Sequence, residues 1–246
     1  MNNGFKNEYD FIELFNNKKI YQLDSNSRNF INDIFDEINQ EEIIKSWKNK
    51  MNQKADIFIK IGNYTKGISL KCGNNNSIHQ EPIQEFKLFL KRIGIPYKAI
   101  DYYTSYQYGY YRENEKIDKN ISLSSTEYKN YYQNELDIFN KCINKTKIII
   151  ELVDRFIIRG KNYDYDIDAL IHGTPSDYVW IKKDDIYDLI LSQRNNNYTS
   201  PHFGNITIGP KKRNIDGNSK YTQEKYIVCG RWNYMKEDII KFKKNL

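Results

Sequence analysis

Residues 54–73, KADIFIKIGNYTKGISLKCG, alternate apolar and polar side chains in two short segments around a polar stretch that contains glycine. Because side chains on a β-strand alternate between its two faces, this pattern predicts two strands, near 55–61 and 67–73, joined by a turn at 62–67. One face of the predicted hairpin is wholly apolar and is expected to pack against helices. Its residues are Ala55, Ile57, Ile59 and Ile61 on the first strand, and Ile68, Leu70 and Cys72 on the second.

The opposite face of the predicted hairpin carries Asp56 on the first strand and Ser69 and Lys71 on the second. Asp56 and Lys71 are then direct or diagonal neighbours, with Cβ atoms about 5 to 8 Å apart. A cross-strand salt bridge accounts for the two charges, and such surface pairs contribute little stability. It does not account for the glycines at both ends of the second strand, Gly67 and Gly73.

The same face has the chemistry of a metal centre that hydrolyses phosphodiesters. Bound Mg²⁺ neutralises phosphate charge, lowers the pKa of a bound water and prefers hard oxygen ligands. Asp56 can supply one carboxylate, and the backbone carbonyl of Leu70 can supply a second oxygen. Lys71 can orient the attacking water or stabilise the developing oxyanion. A second carboxylate is still required, so the hairpin alone is an incomplete site.

Composition restricts the class of protein that carries this hairpin. The 246 residues suffice for one large domain, and 15% aromatic residues, including 21 Tyr, supply a sizeable core. The formal charge of +6 permits binding to nucleic acid or anionic lipid and establishes neither. Cys72, Cys142 and Cys229 form no CxxC pair, and every apolar run is too short to span a bilayer. We therefore expect a soluble, cytoplasmic protein without a zinc site or a disulfide scaffold.

Hydrophobic periodicity predicts helices and further strands around the hairpin. Residues 1–26 are expected to be irregular or weakly structured. Apolar residues at helical spacing predict helices from residue 27, from Pro82 to Gly94, over 135–158 and over DDIYDLILSQ. Strands are expected in DYDIDALIHG, DYVWIKK, NITIG and YIVCGRW. Both signals weaken in the tyrosine-rich stretch after residue 96, which is expected to form an insertion or mixed lobe.

KADIFI followed by GISLKCG resembles the active-site hairpin of the PD-(D/E)XK nuclease superfamily, in particular of type II restriction endonucleases. The resemblance extends through SIHQEPIQEF and, more loosely, into HFGNITIGP. It implies an α/β (α+β) fold with a central mixed β-sheet flanked by helices, and Mg²⁺-dependent cleavage of DNA. Asp56 matches the aspartate of the family motif and Lys71 matches its lysine. Ser69 stands where the family usually has Glu or Asp, which leaves the second metal ligand to be found elsewhere.

Some members of the superfamily have Ser-x-Lys and take the missing glutamate from the helix that follows. In this sequence Glu85 falls at the margin of the apolar stripe of the predicted helix, from which it could reach back to the sheet face. Glu81 is the rival, at the helix entrance, where the helix dipole also favours a carboxylate. We prefer Glu85 as the metal ligand that completes the site with Asp56, and we expect Ser69 to make a supporting hydrogen bond.

Basic residues outside the hairpin are candidate DNA contacts. Lys211, Lys212 and Arg213 cluster in a predicted loop and suit phosphate binding, although a solubilising turn has the same composition. His79 lies near the predicted site and is a further candidate, with a structural hydrogen bond as the alternative. The tyrosines of 97–132 are expected mainly to pack, with a few contributing to a DNA groove. DYDIDA lacks the glycine and glutamate of a calcium loop, so its acids are expected to be solvated in a strand or turn.

The combined prediction is a Mg²⁺-dependent type II restriction endonuclease that cleaves double-stranded DNA, and cutting both strands favours a homodimer. The alternatives are a repair or phage-defence nuclease of the same fold, and a DNA-binding module that lost catalysis when Ser69 replaced an acid. We predict a single nuclease domain over 1–246. Its predicted parts are a core at 27–96 and 135–195, a Tyr-rich insertion at 97–134 and a β-rich segment at 196–246.

Overall fold

The computed structural model contains both helices and strands and describes residues 3–51, 53–73, 77–113, 116–161, 165–212 and 225–245. The predicted α+β class is confirmed. The helices of these residues are α1 Asn3–Phe15, α2 Ser25–Ile34, α3 Ile83–Arg92, α4 Tyr97–Tyr108, α5 Ser125–Ile143, α6 Thr146–Val153, α7 Lys183–Ser192 and α8 Met235–Lys243. The strands are β1 Lys45–Lys48, β2 Ile57–Ile61, β3 Tyr64–Lys71, β4 Ser77–Pro82, β5 Tyr110–Glu113, β6 Lys116–Ser122, β7 Ala169–Thr174, β8 Asp177–Lys182, β9 His202–Phe203, β10 Ile206–Pro210 and β11 Ile227–Arg231.

The chain divides into two compact units. The first unit comprises Met1–Asn76, Asp154–Leu189 and Tyr234–Leu246, and the second comprises Ser77–Val153 and Ile190–Asn233. The core predicted at 27–96 and 135–195 draws on both units, and the insertion predicted at 97–134 lies within the second. The organisation of 1–246 as a single nuclease domain stays a prediction.

The first unit contains a five-stranded sheet in the order β1-β2-β3-β7-β8. β3 pairs with β7 in parallel, and the other neighbours pair antiparallel, so the sheet is mixed, as predicted. One face is covered by α1 and α2 in a continuous apolar core. The sheet contributes to this core the buried side chains of Ile57, Ile59, Ile61, Ile68, Leu70, Ala169, Ile171 and Tyr178.

The expectation of irregular or weak structure over 1–26 is wrong, because residues 3–15 form α1. Phe11 and Phe15 lie one helical turn apart and are fully buried. Phe11 packs edge-on against Tyr178, with ring centroids 5.3 Å apart, and Phe15 packs against Phe30 of α2, with centroids 5.7 Å apart. Both contacts are tertiary contacts with residues outside α1, so the periodicity of residues 1–26 alone gave little indication of a helix.

The turn of the hairpin is shorter than predicted. β2 and β3 pair from Ile57 opposite Ile68 to Ile61 opposite Tyr64, so only Gly62 and Asn63 connect them. Gly62 has φ +56°, a conformation that glycine adopts without the steric cost paid by other residues. The chain therefore reverses within two residues, and the predicted turn at 62–67 is wrong because its last residues belong to β3. β3 ends at Lys71, and Cys72 is half-buried beyond it.

The second unit contains an antiparallel sheet in the order β4-β11-β10-β9 and the two-stranded sheet β5-β6. α4 is tied to this sheet by Gln107, whose amide donates to the carbonyls of Lys225 at 2.8 Å and Ile227 at 3.1 Å. Tyr103 of α4 is fully buried and stacks on Phe139 of α5, with ring centroids 4.8 Å apart. Tyrosines of the stretch 97–132 therefore contribute to packing, as predicted.

The helical character predicted over 135–158 is confirmed, but it is divided among three helical segments, and the first of them begins earlier. α5 begins at Ser125, where Ser124 and Glu127 form a capping box with bonds of 3.1 Å and 2.7 Å. It ends at Ile143, and α6 and a π-helical turn over Asp154–Ile158 follow. The start was missed because polar and tyrosine residues dominate the first turns of α5. The strand predicted at DYDIDALIHG is confirmed only from Ala169, and the strands at DYVWIKK, NITIG and YIVCGRW and the helix at DDIYDLILSQ are confirmed.

Two further features concern the cysteines and the apolar character of the helices. Cys72, Cys142 and Cys229 are free thiols. Among the described residues, no helix combines the length and the apolar character needed to cross a bilayer.

Candidate active site

The β2–β3 hairpin brings Asp56, Ser69 and Lys71 together on one face of the sheet. The Asp56 amide donates to the carbonyl of Ile68 at 2.8 Å, which continues the ladder by one residue and places Asp56 opposite Ser69. Lys71 lies two residues further along β3 and therefore on the same face. Its Nζ is 3.5 Å from Oδ2 of Asp56, so the predicted proximity of the two charges is confirmed.

The Asp56 carboxylate is held through one of its two oxygens. Oδ2 accepts a hydrogen bond from the backbone amide of Leu70 at 2.6 Å and another from the Ser69 hydroxyl at 3.1 Å. Hydrogen bonds to an ionised acceptor are short and strong, so these two neutral donors fix the orientation of the carboxylate. The supporting hydrogen bond predicted for Ser69 is confirmed.

The Lys71 ammonium is held by the same strand. Its Nζ donates to the Ser69 hydroxyl and to the Leu70 carbonyl, each at 3.0 Å. An ammonium group has three donors, and the third is directed at Asp56. The side chains of Lys71 and Asp56 are 22% and 28% exposed, so solvent and a charged ligand can reach both.

The oxygen atoms of this face fit part of a Mg²⁺ site. No hydrogen bond from any described residue uses Oδ1 of Asp56, so this oxygen is available as a hard anionic ligand. The Leu70 carbonyl, predicted as a ligand, accepts from Lys71 and retains a second lone pair. Mg²⁺ in proteins commonly takes one or two carboxylates and keeps several waters. Within the described part of the chain, no three or more His, Cys, Asp or Glu residues cluster to hold a metal.

The two candidate glutamates have different surroundings in the second unit. Glu85 lies in the first turn of α3 and is half-buried. Glu81 lies on β4, where its fully buried carboxylate is 3.0 Å from Nε2 of His79. The His79 side chain is only 6% exposed, which matches the structural hydrogen bond given as the alternative to a DNA contact. The metal-binding roles of Glu85 and Glu81, and the phosphate contact of His79, stay predictions.

The predicted basic loop follows β10. Lys211 and Lys212 are exposed, and Arg213 lies outside the described residues. The Lys211 amide donates to the carbonyl of Ile227 at 2.9 Å. Arg231, which the sequence reasoning did not single out, donates to the carbonyls of Pro210 and Lys211, each at 2.9 Å. Arg231 therefore fixes the start of this loop, while the DNA contacts of the loop stay a prediction.

Asp168 was missed as a residue that supports the hairpin. Its carboxylate accepts from the Gly67 amide at 2.8 Å and from Lys66 at 3.1 Å, and its own amide donates to the Gly67 carbonyl at 2.8 Å. It therefore joins the start of β7 to β3. Of the acids of DYDIDA that were expected to be solvated, Asp166 and Asp168 are 31% and 27% exposed, and Asp164 lies outside the described residues. The position of Asp168 directly before an apolar strand was the available signal.

The glycine at position 67 has a packing reason. A Cβ atom at Gly67 would lie 2.5 Å from the Tyr165 ring and 3.1 Å from Ala55. This glycine therefore reflects the close approach of Tyr165 and gives no independent support to a metal site.

His172 was also missed, because it lies far from the hairpin in the sequence. Parallel pairing places it beside Lys71 on the same sheet face. Burial and the charge of Lys236 lower the pKa of His172 below the usual histidine value. The neutral ring therefore predominates at pH 7.

No protein-family model matches the chain, and no curated protein matches it in sequence. Among solved structures, the chain is similar to the restriction endonuclease MspI, determined in complex with its cognate DNA. The sequence identity is 13%, the match covers 93% of this chain and 79% of that chain, and the TM-score is 0.48. At these values the likeness establishes neither a shared active site nor a shared activity.

Proposed function

We propose that the protein is a Mg²⁺-dependent endonuclease that hydrolyses phosphodiester bonds of double-stranded DNA, in the manner of a type II restriction enzyme. The observation that carries this proposal is the accessible cluster of Asp56, Ser69 and Lys71 on one sheet face. The carboxylate offers one oxygen as a metal ligand and the ammonium can stabilise an oxyanion, while a second carboxylate is still needed to complete the metal site.

In this proposal each residue of the cluster has a distinct task. Asp56 binds the metal through Oδ1, while Ser69 and the Leu70 amide hold Oδ2 in place. Lys71 stabilises negative charge on the reacting phosphate, or orients the attacking water. Bound Mg²⁺ supplies charge neutralisation and a water of lowered pKa. Glu85 is the proposed second carboxylate, with Glu81 as the rival.

The proposed partner is duplex DNA, and the proposed assembly is a homodimer. A net charge of +6 favours association with a polyanion. Lys211, Lys212 and Arg213 are the proposed phosphate contacts, and His79 is a weaker candidate because it is buried against Glu81. Cutting both strands of a symmetric site follows most simply from two-fold symmetry.

A second candidate function is a DNA-binding module without catalysis. The observation in its favour is Ser69, a neutral residue where the family usually has an acid, together with the absence of a larger acidic cluster in the described part of the chain. A nuclease with a repair or phage-defence role is the remaining alternative.

Incubation of the purified protein with plasmid DNA and Mg²⁺ separates these functions. Discrete fragments support a restriction enzyme, and nicking or progressive degradation supports another nuclease role. Binding without cleavage supports the non-catalytic module. Chelation of the metal by EDTA is expected to abolish cleavage, and cleavage that persists in EDTA contradicts the proposed metal dependence.

A further inference from the structure

Three aromatic side chains form a row beside the candidate active site. Trp47 of β1 stacks on Phe58 of β2, with ring centroids 5.8 Å apart and an interplanar angle of 30°. Phe58 packs edge-on against Tyr165, with centroids 5.3 Å apart. We call Trp47, Phe58 and Tyr165 the aromatic row. Trp47 remains 41% exposed, and the other two rings are half-buried.

The aromatic row lies on the same sheet face as Asp56 and Lys71. Trp47 pairs with Phe58, and Phe58 pairs with Gly67, so all three positions share one face. Tyr165 covers this face at Gly67, where it approaches the backbone too closely for a Cβ atom. Phe58 is two residues from Asp56 along the strand, a separation of about 7 Å. A ligand that touches Phe58 therefore lies about one nucleotide from Asp56.

Lysines flank the Trp47–Phe58 end of the aromatic row, whereas the Tyr165 hydroxyl at the other end donates to the Asp168 carboxylate at 3.3 Å. Lys45 and Lys60 pair across β1 and β2 on the same face, each two residues from a ring of the row. Within their bounds β1, β2 and β3 contain lysines and no acidic residue. The nearly parallel rings of Trp47 and Phe58, flanked by two ammonium groups, suit a ligand with exposed ring faces and a polyanionic backbone.

We propose that the aromatic row binds unpaired nucleobases of the DNA substrate, so that the preferred substrate is duplex DNA with a single-stranded segment beside the cleaved phosphate. In an intact duplex both faces of each internal base are covered by its neighbours, and only unpaired bases can stack on a side chain. The edge of strand β1 leaves Trp47 accessible to such a base. As a statement about cleavage, this inference rests on the proposed function, whereas the binding itself does not.

The test compares three DNAs of one sequence in metal-free buffer: a full duplex, the same duplex with a short unpaired loop, and the single strand. Fluorescence anisotropy measures binding without cleavage. The wild-type protein is expected to bind the looped duplex more tightly than the full duplex. Trp47→Ala is expected to weaken binding of the looped duplex by about 5- to 150-fold, the loss of one base–aromatic stack, and to leave the full duplex unaffected.

Two control variants make this test specific. Trp47→Phe keeps a stacking ring and is expected to retain most of the preference for the looped duplex. Tyr64→Ala removes an aromatic side chain that is 66% exposed on β3, at a position paired with Ile61 and therefore on the opposite face. It is expected to bind all three DNAs as the wild type does.

Intrinsic fluorescence reports the contact directly. Trp232 is fully buried and Trp180 is half-buried against Lys243, so Trp47 is the tryptophan most open to quenching. Single-stranded DNA is expected to quench wild-type emission and to leave Trp47→Phe emission nearly unchanged.

Equal affinity for the two duplexes, a Trp47→Ala variant that binds like the wild type, or no binding to any of the three DNAs overturns the inference. A Trp47-dependent preference in a protein that never cleaves with Mg²⁺ leaves the inference standing and rejects the proposed nuclease activity. Cleavage of the full duplex at a rate that does not depend on Trp47 supports the proposed nuclease activity and rejects the inference about the aromatic row.

Discussion

Lys71 Nζ lies diagonally across the hairpin from Asp56 Oδ2, at 3.5 Å. The shorter contacts of Asp56 are with the Leu70 amide at 2.6 Å and the Ser69 hydroxyl at 3.1 Å, so the carboxylate does not depend on the lysine for its position. Lys71 therefore lies near a carboxylate that other groups hold in place, so Lys71 can be substituted without displacing Asp56.

Lys71→Ala is expected to lower the rate of Mg²⁺-dependent DNA cleavage by at least about 100-fold, because it removes the group that stabilises charge in the transition state. Stability is expected to change by less than ~1 kcal/mol, since a partly exposed ion pair contributes little. Single-turnover cleavage and urea unfolding measure the two effects. Lys50→Ala, at an exposed lysine outside the site, is the matched control. Cleavage by Lys71→Ala at the rate of that control contradicts the mechanism.

Glu85→Ala is expected to impair cleavage, whereas Glu81→Ala is expected to impair stability. Glu85→Ala should abolish cleavage with little loss of stability, because Glu85 is the proposed metal ligand. Glu81→Ala should lower the free energy of unfolding by ~1–3 kcal/mol, because it removes the buried carboxylate beside His79. Chemical unfolding and cleavage assays on both variants distinguish the roles. The reverse pattern, with an inactive but stable Glu81→Ala, identifies Glu81 as the ligand.

Gly67→Ala is expected to destabilise the fold by ~1–3 kcal/mol, the usual effect of overpacking a closely packed site. The new methyl group would meet the Tyr165 ring at 2.5 Å. The double variant Gly67→Ala/Tyr165→Ala removes the ring. Its loss of unfolding free energy should be smaller than the sum of the losses in the two single variants. Urea unfolding of the four proteins of the cycle measures the coupling. Strict additivity would show that Tyr165 is not the obstacle.

Unfolding is expected to become easier as the pH falls from 7.5 to 5, because of His202. This ring is 3% exposed, with Nδ1 2.8 Å from the Ser200 carbonyl and Nε2 3.1 Å from the Asn196 carbonyl. Burial lowers the pKa of His202 below 6.5, and the two carbonyls oppose this effect only in part. The unfolded chain therefore binds the proton more readily, and stability that is complete above pH 6.5 decreases as the pH falls below it.

Urea unfolding across this pH range measures the expected decrease. The lowered pKa of His172 acts in the same direction, so His202→Asn and His172→Asn should each remove part of the slope. The lowered pKa values of Asp24 and Asp33 affect stability only at more acidic pH, outside this window. A stability that is flat from pH 5 to 7.5 contradicts the prediction.

The alternation of apolar and polar residues along the hairpin was enough to predict which side chains of the candidate site lie together. Side chains two residues apart on a strand share a face whatever the rest of the chain does, so Asp56, Ser69 and Lys71 could be placed together from the sequence. The exact turn could not, because it depended on the positive φ of Gly62. The wrong turn length did not affect the predicted site, because the two-residue turn still places Asp56 diagonally across from Lys71.

By itself, the sequence determined the hairpin, its apolar face and the meeting of one carboxylate with one ammonium, because these follow from the two-residue period of a strand. Only the tertiary structure decided that His172 lies beside Lys71, that Asp168 closes β3 onto β7, and that residues 3–15 form a helix. The physical reason is that parallel pairing and burial join segments about a hundred or more residues apart in the chain, and no local pattern encodes those contacts.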